Sequence, residues 1–182
     1  MRTAYRIKPR FGARAWWAII GIAVILLGAP AALNAAVTDA DPVMSQVELG
    51  SEDYGWTIGM HDRDGSELAC EQHFDDPMTE RWTCGDTEIR TTVVENAEDQ
   101  DLALRRIIRG VGVGWRVLDQ NAPIRHRAEA RQIEDTAADA TAISLEGADE
   151  HRDQTVMVVV SGPDRMKYSD LVWHNVTSGG RS

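Results

Sequence analysis

The stretch TVMVVV, from Thr155 to Val160, decides the fold of this chain. Apolar and β-branched residues fill it almost completely, whereas a strand with one solvated face alternates apolar and polar residues. A short unbroken run of this kind is typical of a strand that is buried on both faces of a sheet. We therefore predict a central strand at Thr155–Val160.

Other segments with strand character lie upstream of this run. They are rich in β-branched and aromatic residues or alternate in polarity, and turn residues separate them. The predicted strands are Met44–Leu49, Tyr54–His61, Ser66–Phe74, Arg81–Val94, Ile124–Ile133 and Ala140–Leu145. Asp64-Gly65 is typical of a two-residue type I′ turn, which would pair the second and third of these strands with Trp56 opposite His73.

Two helices are predicted among these strands. From Asp99 to Leu118 apolar residues recur at helical spacing, and acidic residues stand at the start, where the helix dipole favours negative charge. Three glycines between positions 110 and 114 weaken the second half and favour an early end. A second helix begins at Pro163 and ends before Gly179. This pattern predicts an α+β sandwich in which two helices pack on a mainly antiparallel sheet.

The chain opens on a basic leader that is followed by an apolar run. Residues 1–14 contain five cations and no acid, and the nineteen residues from 15 to 33 contain no charge. A helix of that length spans about 28 Å, close to the ~30 Å hydrocarbon core of a bilayer. The first charges after the run are Asp39 and Asp41, and this asymmetry predicts a cytoplasmic N-terminus. Trp16 and Trp17 stand where an aromatic belt marks the cytoplasmic interface.

A cleaved signal peptide is the alternative for this segment, since APA at 29–31 supplies a cleavage-like site after a shorter apolar core. The protein would then be secreted. Gly21 and Gly28 belong to a ridge of small residues, a pattern that lets two membrane helices approach closely. The favoured organisation is a cytoplasmic leader at 1–14, a single transmembrane helix at 15–33, a linker at 34–43 and one extracytoplasmic domain at 44–182.

The charge of the chain excludes some partners. The whole chain carries a net charge of −10 and its leader carries +5, so the remaining residues carry −15. An acidic surface repels phosphate backbones and anionic headgroups. We therefore expect no nucleic acid as a partner, and contact with the lipid bilayer only through the N-terminal helix.

Two cysteines, Cys70 and Cys84, lie in the part of the chain that is predicted to be exported. Oxidising compartments allow disulfides, and closing a loop of about fifteen residues stabilises a fold by roughly 3 kcal/mol. A metal site that uses both cysteines with His73 and His61 is the alternative. A disulfide is favoured, because residues three apart on a strand face opposite sides of the sheet.

Motifs that carry catalytic chemistry are not found in the sequence. It contains no G-x-S-x-G, no H-E-x-x-H and no C-x-x-C, and its glycine-rich run at 110–114 closes a predicted helix instead of opening one. We expect no catalytic residues, no metal and no cofactor. The tryptophans of the domain could line an apolar ligand pocket or could build the core or an interface. They are Trp56, Trp82, Trp115 and Trp173.

A resemblance follows from these features together. The single N-terminal anchor, the acidic domain of several strands, the central strand Val156–Val160 and the terminal helix with Tyr168, Leu171 and Val172 resemble the small envelope proteins of actinobacteria. The order of elements is similar to the PsbP-type sandwiches of mycobacterial lipoproteins. The chain departs from those lipoproteins in lacking the lipobox cysteine after the apolar run.

The function predicted from these observations is that of a non-catalytic, membrane-anchored accessory subunit. It would dock on a larger membrane protein complex of the bacterial cell envelope, such as a respiratory supercomplex or a secretion machine. One alternative is an envelope carrier that binds a lipid or another apolar ligand between the sheet and the helices. An envelope enzyme is a further alternative, which requires a cleft where carboxylates or histidines converge.

Overall fold

The computed structural model describes residues 12–36, 43–74, 76, 78–111 and 121–178. The chain divides into two units, Met1–Asp41 and Pro42–Ser182. The first unit contains helix α1 (Ala13–Ala36), which is 24 residues long. The side chains from position 16 to position 29 are all exposed. Among the described residues, no helix is both long enough and apolar enough to cross a membrane, so the structure lends no support to the transmembrane helix predicted over 15–33.

The second unit, the C-terminal domain, is an α+β structure, as the sequence predicts. The described strands are β1 (Val43–Gln46), β2 (Glu48–Ser51), β3 (Trp56–Gly59), β4 (Ala69–His73), β5 (Glu80–Cys84), β6 (Thr87–Glu95), β7 (Ile124–Arg127), β8 (Ala130–Asp135), β9 (Ala140–Glu146) and β10 (Gln154–Ser161). The described helices of this unit are α2 (Gln100–Gly110) and α3 (Arg165–Ser178), with short 3-10 turns at Glu52–Tyr54 and Asp149–His151.

Eight of the described strands form one sheet in the order β1-β4-β5-β6-β10-β9-β8-β7, and β2 pairs with β3 in a small second sheet. All of the pairs are antiparallel. β10 lies between β6 and β9 at the centre of the large sheet, which confirms the prediction for Thr155–Val160. Its residues from Thr155 to Val160 are all buried.

Apolar side chains cover both faces of the large sheet and form two core clusters. On the first face Val156, Val158 and Val160 pack with α3 and with residues of the small sheet. On the opposite face Met157 and Val159 pack with α2. Side chains alternate along a strand, so a strand that is apolar at every position requires cover on both faces. The domain therefore has α2 on one side of the sheet, and α3 with the small sheet on the other.

Both helices of the domain begin and end close to the predicted positions. The carboxylate of Asp99 caps α2 by accepting a hydrogen bond from the backbone N–H of Leu102 at 2.9 Å. α2 ends at Gly110, which confirms the early end that the glycines indicate; Trp115 and Leu118 lie outside the described residues. α3 starts at Arg165, two residues after Pro163, and buries Tyr168 among other side chains.

The predicted hairpin around Asp64-Gly65 forms next to the turn, where His61 pairs with Glu67, but its register and its extension beyond that pair are wrong. Asp62 N–H donates to the carbonyl of Ser66 at 2.8 Å, and Gly65 takes a φ of +85°. The loop therefore has three residues and ends on a left-handed glycine, a common alternative to the two-residue turn. Leu68 N–H still donates to the Met60 carbonyl at 2.9 Å. Farther from the turn the strands separate, since β3 pairs with β2 and β4 pairs with β1 and β5. Trp56 lies opposite Ser51 and not opposite His73.

Three predicted strands are each two strands in the structure. Arg81–Val94 divides into β5 and β6, and Ile124–Ile133 divides into β7 and β8. Both divisions are two-residue turns, which interrupt the apolar pattern too briefly to be visible in it. Met44–Leu49 divides at Val47, where the chain passes from the large sheet to the small one. Val47 is fully buried and bonds Leu68 and Met60 through its backbone at 2.8 Å each.

Candidate functional site

A groove lies between the edge strand β7 and helix α3. Its volume is about 430 Å³. Three arginines stand out among its lining residues because the domain as a whole is acidic, and we call it the arginine groove. The lining residues are Arg63, Arg125, Arg127, Asp170, Leu171, Trp173 and His174.

The register of β7 places two of the arginines on the same face of the sheet as α3. Arg125 pairs with Gln132 and Arg127 pairs with Ala130, and both of these β8 residues are buried. Directly opposite residues in an antiparallel pair share a face. Because Ala130 belongs to the core cluster that contains α3, Arg125 and Arg127 face the same side.

Trp173 supplies an aromatic surface beneath one of these arginines. The guanidinium carbon of Arg125 lies 4.6 Å from the centre of the Trp173 ring, which is cation–π geometry. Trp173 is only 5% exposed, so the ring is held in the core while the arginine above it remains exposed. Stacking holds the planar guanidinium in a fixed orientation, and Arg125 Nη1 also donates to Gln132 Oε1 at 3.4 Å.

The third arginine reaches the groove from the loop between β3 and β4. Asn175 of α3 holds this loop, because its side-chain amide bonds both backbone groups of His61. His61 N–H donates to Asn175 Oδ1 at 3.1 Å, and Asn175 Nδ2 donates to the His61 carbonyl at 2.9 Å. Within the loop, Asp64 accepts hydrogen bonds from the side chain and backbone of Ser66, and these hold the pKa of Asp64 below its ordinary value. Arg63 is thereby presented by a hydrogen-bonded turn.

The charge of the groove is positive. In the part of the chain that the structure describes, none of its three arginines forms an ion pair, whereas Arg131 is bound by Asp101 and Glu146. Asp170 is the acidic side chain among the described lining residues. Guanidinium groups without carboxylate partners bind external carboxylates or phosphates well, because they can offer two parallel hydrogen bonds.

A second polar cluster lies on β4, β5 and β6, on the face opposite the disulfide. His73 Nε2 lies 2.8 Å from Thr83 Oγ1 and 3.8 Å from a carboxylate oxygen of Glu71. A catalytic triad needs the nucleophile on one ring nitrogen and the carboxylate on the other. Here Thr83 and Glu71 both lie beside the same ring nitrogen of His73, Nε2, so the cluster lacks the geometry of a triad. The neighbouring Glu88 is paired with Arg90.

An acidic neighbourhood surrounds Glu80 near the small sheet. Burial raises the pKa of the Glu80 carboxyl above its ordinary value, and the nearby carboxylates of Glu52, Glu48 and Asp53 act in the same direction. A backbone hydrogen bond from Glu52 opposes this shift. Within the described ranges, no three histidine, cysteine, aspartate or glutamate side chains are grouped so that they could hold a metal ion.

The predicted disulfide is confirmed. Cys70 of β4 and Cys84 of β5 are bonded, with their Cα atoms 5.0 Å apart, and both side chains are buried. The bond joins neighbouring strands inside the first core cluster. The alternative metal site is thereby overturned, because disulfide sulfurs are not thiolate ligands.

The predicted aromatic residues occupy different environments. Trp82 is buried in the core and donates from its indole nitrogen to Ser45 Oγ at 3.1 Å. Trp56 is half-buried and stacks on His151, with ring centres 4.8 Å apart. Trp173 lines the arginine groove, and Trp115 lies outside the described residues.

The predicted anchor residues all lie on α1. Trp16 and Trp17 are 56% and 73% exposed. A Cβ atom added at Gly21 or Gly28 would meet no described atom within 4 Å. Both glycines are thus free of contact with the described part of the chain.

The sequence analysis missed the arginine groove. Its residues come from three separate segments of the chain, and no local motif joins them. One signal was present: Arg125 and Arg127 alternate around His126 within a predicted strand of an acidic domain. That alternation places two positive charges on one face of a sheet.

Three comparisons with known proteins complete the description of the site. No protein-family model matches the chain, and the searches of curated proteins and of solved structures each returned no match.

Proposed function

We propose that this protein is a non-catalytic, membrane-anchored accessory subunit that docks on a larger complex of the bacterial cell envelope, such as a respiratory supercomplex or a secretion machine. The single observation that carries its docking role is the arginine groove, in which Arg125 is stacked on Trp173 and flanked by Arg63 and Arg127. Arginine and tryptophan dominate the binding energy of protein interfaces. The groove therefore has the composition of a recognition surface.

The location of the protein is proposed from its N-terminal sequence. The basic leader, the uncharged run at 15–33 and the acids that follow support a single-pass anchor in the plasma membrane with a cytoplasmic N-terminus. In α1 the apolar side chains of this run are exposed from position 16 to position 29, and Leu27 is 80% exposed. Apolar surface of this extent is costly in water and favours burial in lipid or in a partner. The resemblance to small actinobacterial envelope proteins agrees with this location.

The groove favours docking over the carriage of an apolar ligand. An apolar molecule seated among three guanidinium groups would remove water from charges and offer them no hydrogen bonds in return. An acidic partner would instead supply carboxylates to these guanidiniums, and its attraction would be strongest where the otherwise acidic domain is locally positive. The net charge of −15 outside the leader restricts such a partner to this local surface.

Recovery of partners from native membranes tests the proposal. The tagged full chain, purified in mild detergent, is expected to bring down other subunits at a fixed stoichiometry. The double variant Arg63→Glu/Arg127→Glu should lose them, because both side chains are exposed and leave Arg125 on its tryptophan. Arg106→Glu/Arg152→Glu is the matched control, since it makes the same charge change at exposed residues outside the groove.

Two results would contradict the proposal. Recovery of the wild-type chain as a lone monomer would exclude a stable docking role. Native mass spectrometry that finds an apolar molecule bound at one equivalent would favour the carrier. The location is tested separately with a reporter fused after Ser182, which should be active only outside the cytoplasm.

A further inference from the structure

We propose that the arginine groove binds an extended acidic segment of the partner, which adds to the large sheet as a new strand beside β7. This inference rests on the proposed function and specifies the chemistry of the partner. The segment would carry aspartate or glutamate at alternate positions, so that successive carboxylates meet Arg125 and Arg127.

The first reason for this inference is the position of β7 at the edge of the sheet that the described strands form. β7 pairs with β8 and is the last strand of the sheet in the described part of the chain. An edge strand leaves alternate backbone N–H and C=O groups unpaired, and these can form a ladder with an added strand. Arg125, His126 and Arg127 are all exposed along this edge.

The spacing of the arginines is the second reason. Arg125 and Arg127 are two residues apart on a strand, which separates their backbone positions by about 7 Å. The side chains of an added strand repeat with the same period and on the same faces. Carboxylates at positions i and i+2 of the segment would therefore stand beside the two guanidinium groups and could each accept a pair of hydrogen bonds.

The wall of the groove is the third reason. On the side of the sheet where these arginines lie, α3 contributes the buried side chains of Leu171 and Trp173 to the lining. Arg63 adds a further positive charge from the loop that Asn175 ties to α3. An acidic strand would meet cations from β7 and from the loop.

The surroundings of the groove favour a short acidic segment over a polyanion. The domain is acidic outside this surface, so a nucleic acid or a membrane rich in anionic lipid would be repelled beyond the groove. A segment of a few residues engages the arginines without approaching the acidic remainder. The occupant is therefore a protein strand with alternating acids.

Peptide binding to the full chain in detergent micelles tests the inference. The probes are two fluorescein-labelled ten-residue peptides of the same composition. One alternates aspartate with valine and threonine, and the other has its aspartates in adjacent pairs separated by two uncharged residues, so that no two aspartates are two positions apart. We expect the alternating peptide to bind at least about tenfold more tightly in fluorescence anisotropy, since only its carboxylates match both arginines. Arg63→Glu/Arg127→Glu should weaken that binding about tenfold or more, and Arg106→Glu/Arg152→Glu should change it little.

Hydrogen exchange tests the strand addition itself. The alternating peptide should slow amide exchange along β7, and equal urea midpoints for the variant and the wild type establish that the variant is folded. Equal affinity for the two peptides, equal weakening by the control variant, or binding without protection of β7 would each overturn the inference. Displacement of the peptide by phosphatidylglycerol in the micelles, with no dependence on alternation, would assign the groove to headgroups instead.

The inference and the proposed function can fail separately. If subunits are recovered through the groove arginines and neither peptide binds, the docking role stands and the acidic strand is wrong. If the alternating peptide binds and native membranes yield no subunit, the groove chemistry stands and the accessory role is wrong.

Discussion

Reduction of the Cys70–Cys84 disulfide is expected to destabilise the C-terminal domain by about 3 kcal/mol. The cysteines lie 14 positions apart, and the chain-entropy model assigns about 3 kcal/mol at 25 °C to a closed loop of about 15 residues. Because the reduced thiols stay buried in the same core cluster, the loss arises mainly in the unfolded state. With a urea dependence of ~1–3 kcal/mol/M, the unfolding midpoint should fall by roughly 1–3 M.

The assay is urea unfolding of the full chain in detergent, followed by tryptophan fluorescence with and without reductant. The variant Cys70→Ala/Cys84→Ala is the control: it should unfold near the reduced wild type and should not respond to reductant. A difference below about 1 kcal/mol between the oxidised and reduced protein would refute the loop-closure reasoning. If reductant lowered the free energy of unfolding of the control variant by the same amount, the reductant would be acting at a site other than the disulfide.

Three further predictions concern stability in the same assay. Asn175→Ala should lower the free energy of unfolding by about 1–3 kcal/mol, because it removes both hydrogen bonds to His61. Asn175→Asp keeps the acceptor and should lower that free energy less. Equal losses for the two variants would contradict this prediction. Asp99→Ala should cost about 1 kcal/mol as a lost helix cap, whereas Asp99→Asn should cost little. Glu80→Gln should stabilise the domain at pH values above the raised pKa of Glu80, and the gain should shrink as the pH falls through that pKa. Glu134→Gln, at an exposed position, is the control.

The sign of the Glu80 effect follows from linkage. The folded state raises the pKa of this carboxyl, so folding favours its protonated form. The stability that this protonated carboxyl contributes is fully present below the pKa of Glu80 in the unfolded state. It is lost as the pH rises through the pKa of Glu80 in the folded state. A gain for Glu80→Gln that persisted unchanged at acidic pH would refute the assigned cause.

Much of the secondary structure of the domain could be predicted because its signals are local. The apolar run of β10 and the helical spacing that ends at Gly110 each lie within one short segment. The strands β5, β6, β7 and β8 were predicted as two longer strands, because turns of two residues barely interrupt a pattern of period two. Local patterns thus identify the type of an element better than its ends.

The pairing of strands could not be predicted in this way. The sequence indicates a tight turn at Asp64-Gly65, and the turn exists, yet β3 and β4 separate beyond it. β1 pairs with β4, and β10 enters between β6 and β9. These strand pairs join segments that are distant in the sequence. Their stability depends on which faces of the sheet the other helices and strands cover, and no single segment specifies that arrangement.

By itself, the sequence determined the charge asymmetry around its apolar N-terminal run, the central strand, and the cysteine pair that forms the disulfide. Each depends on composition or on neighbouring residues, so short-range chemistry is sufficient. Only the tertiary structure decided that Arg63, Arg125 and Arg127 meet beside Trp173. These residues look like ordinary surface charges in the sequence. They become one positive groove because the sheet edge, a tethered loop and α3 bring them together, with no ion pair to any of them among the described residues.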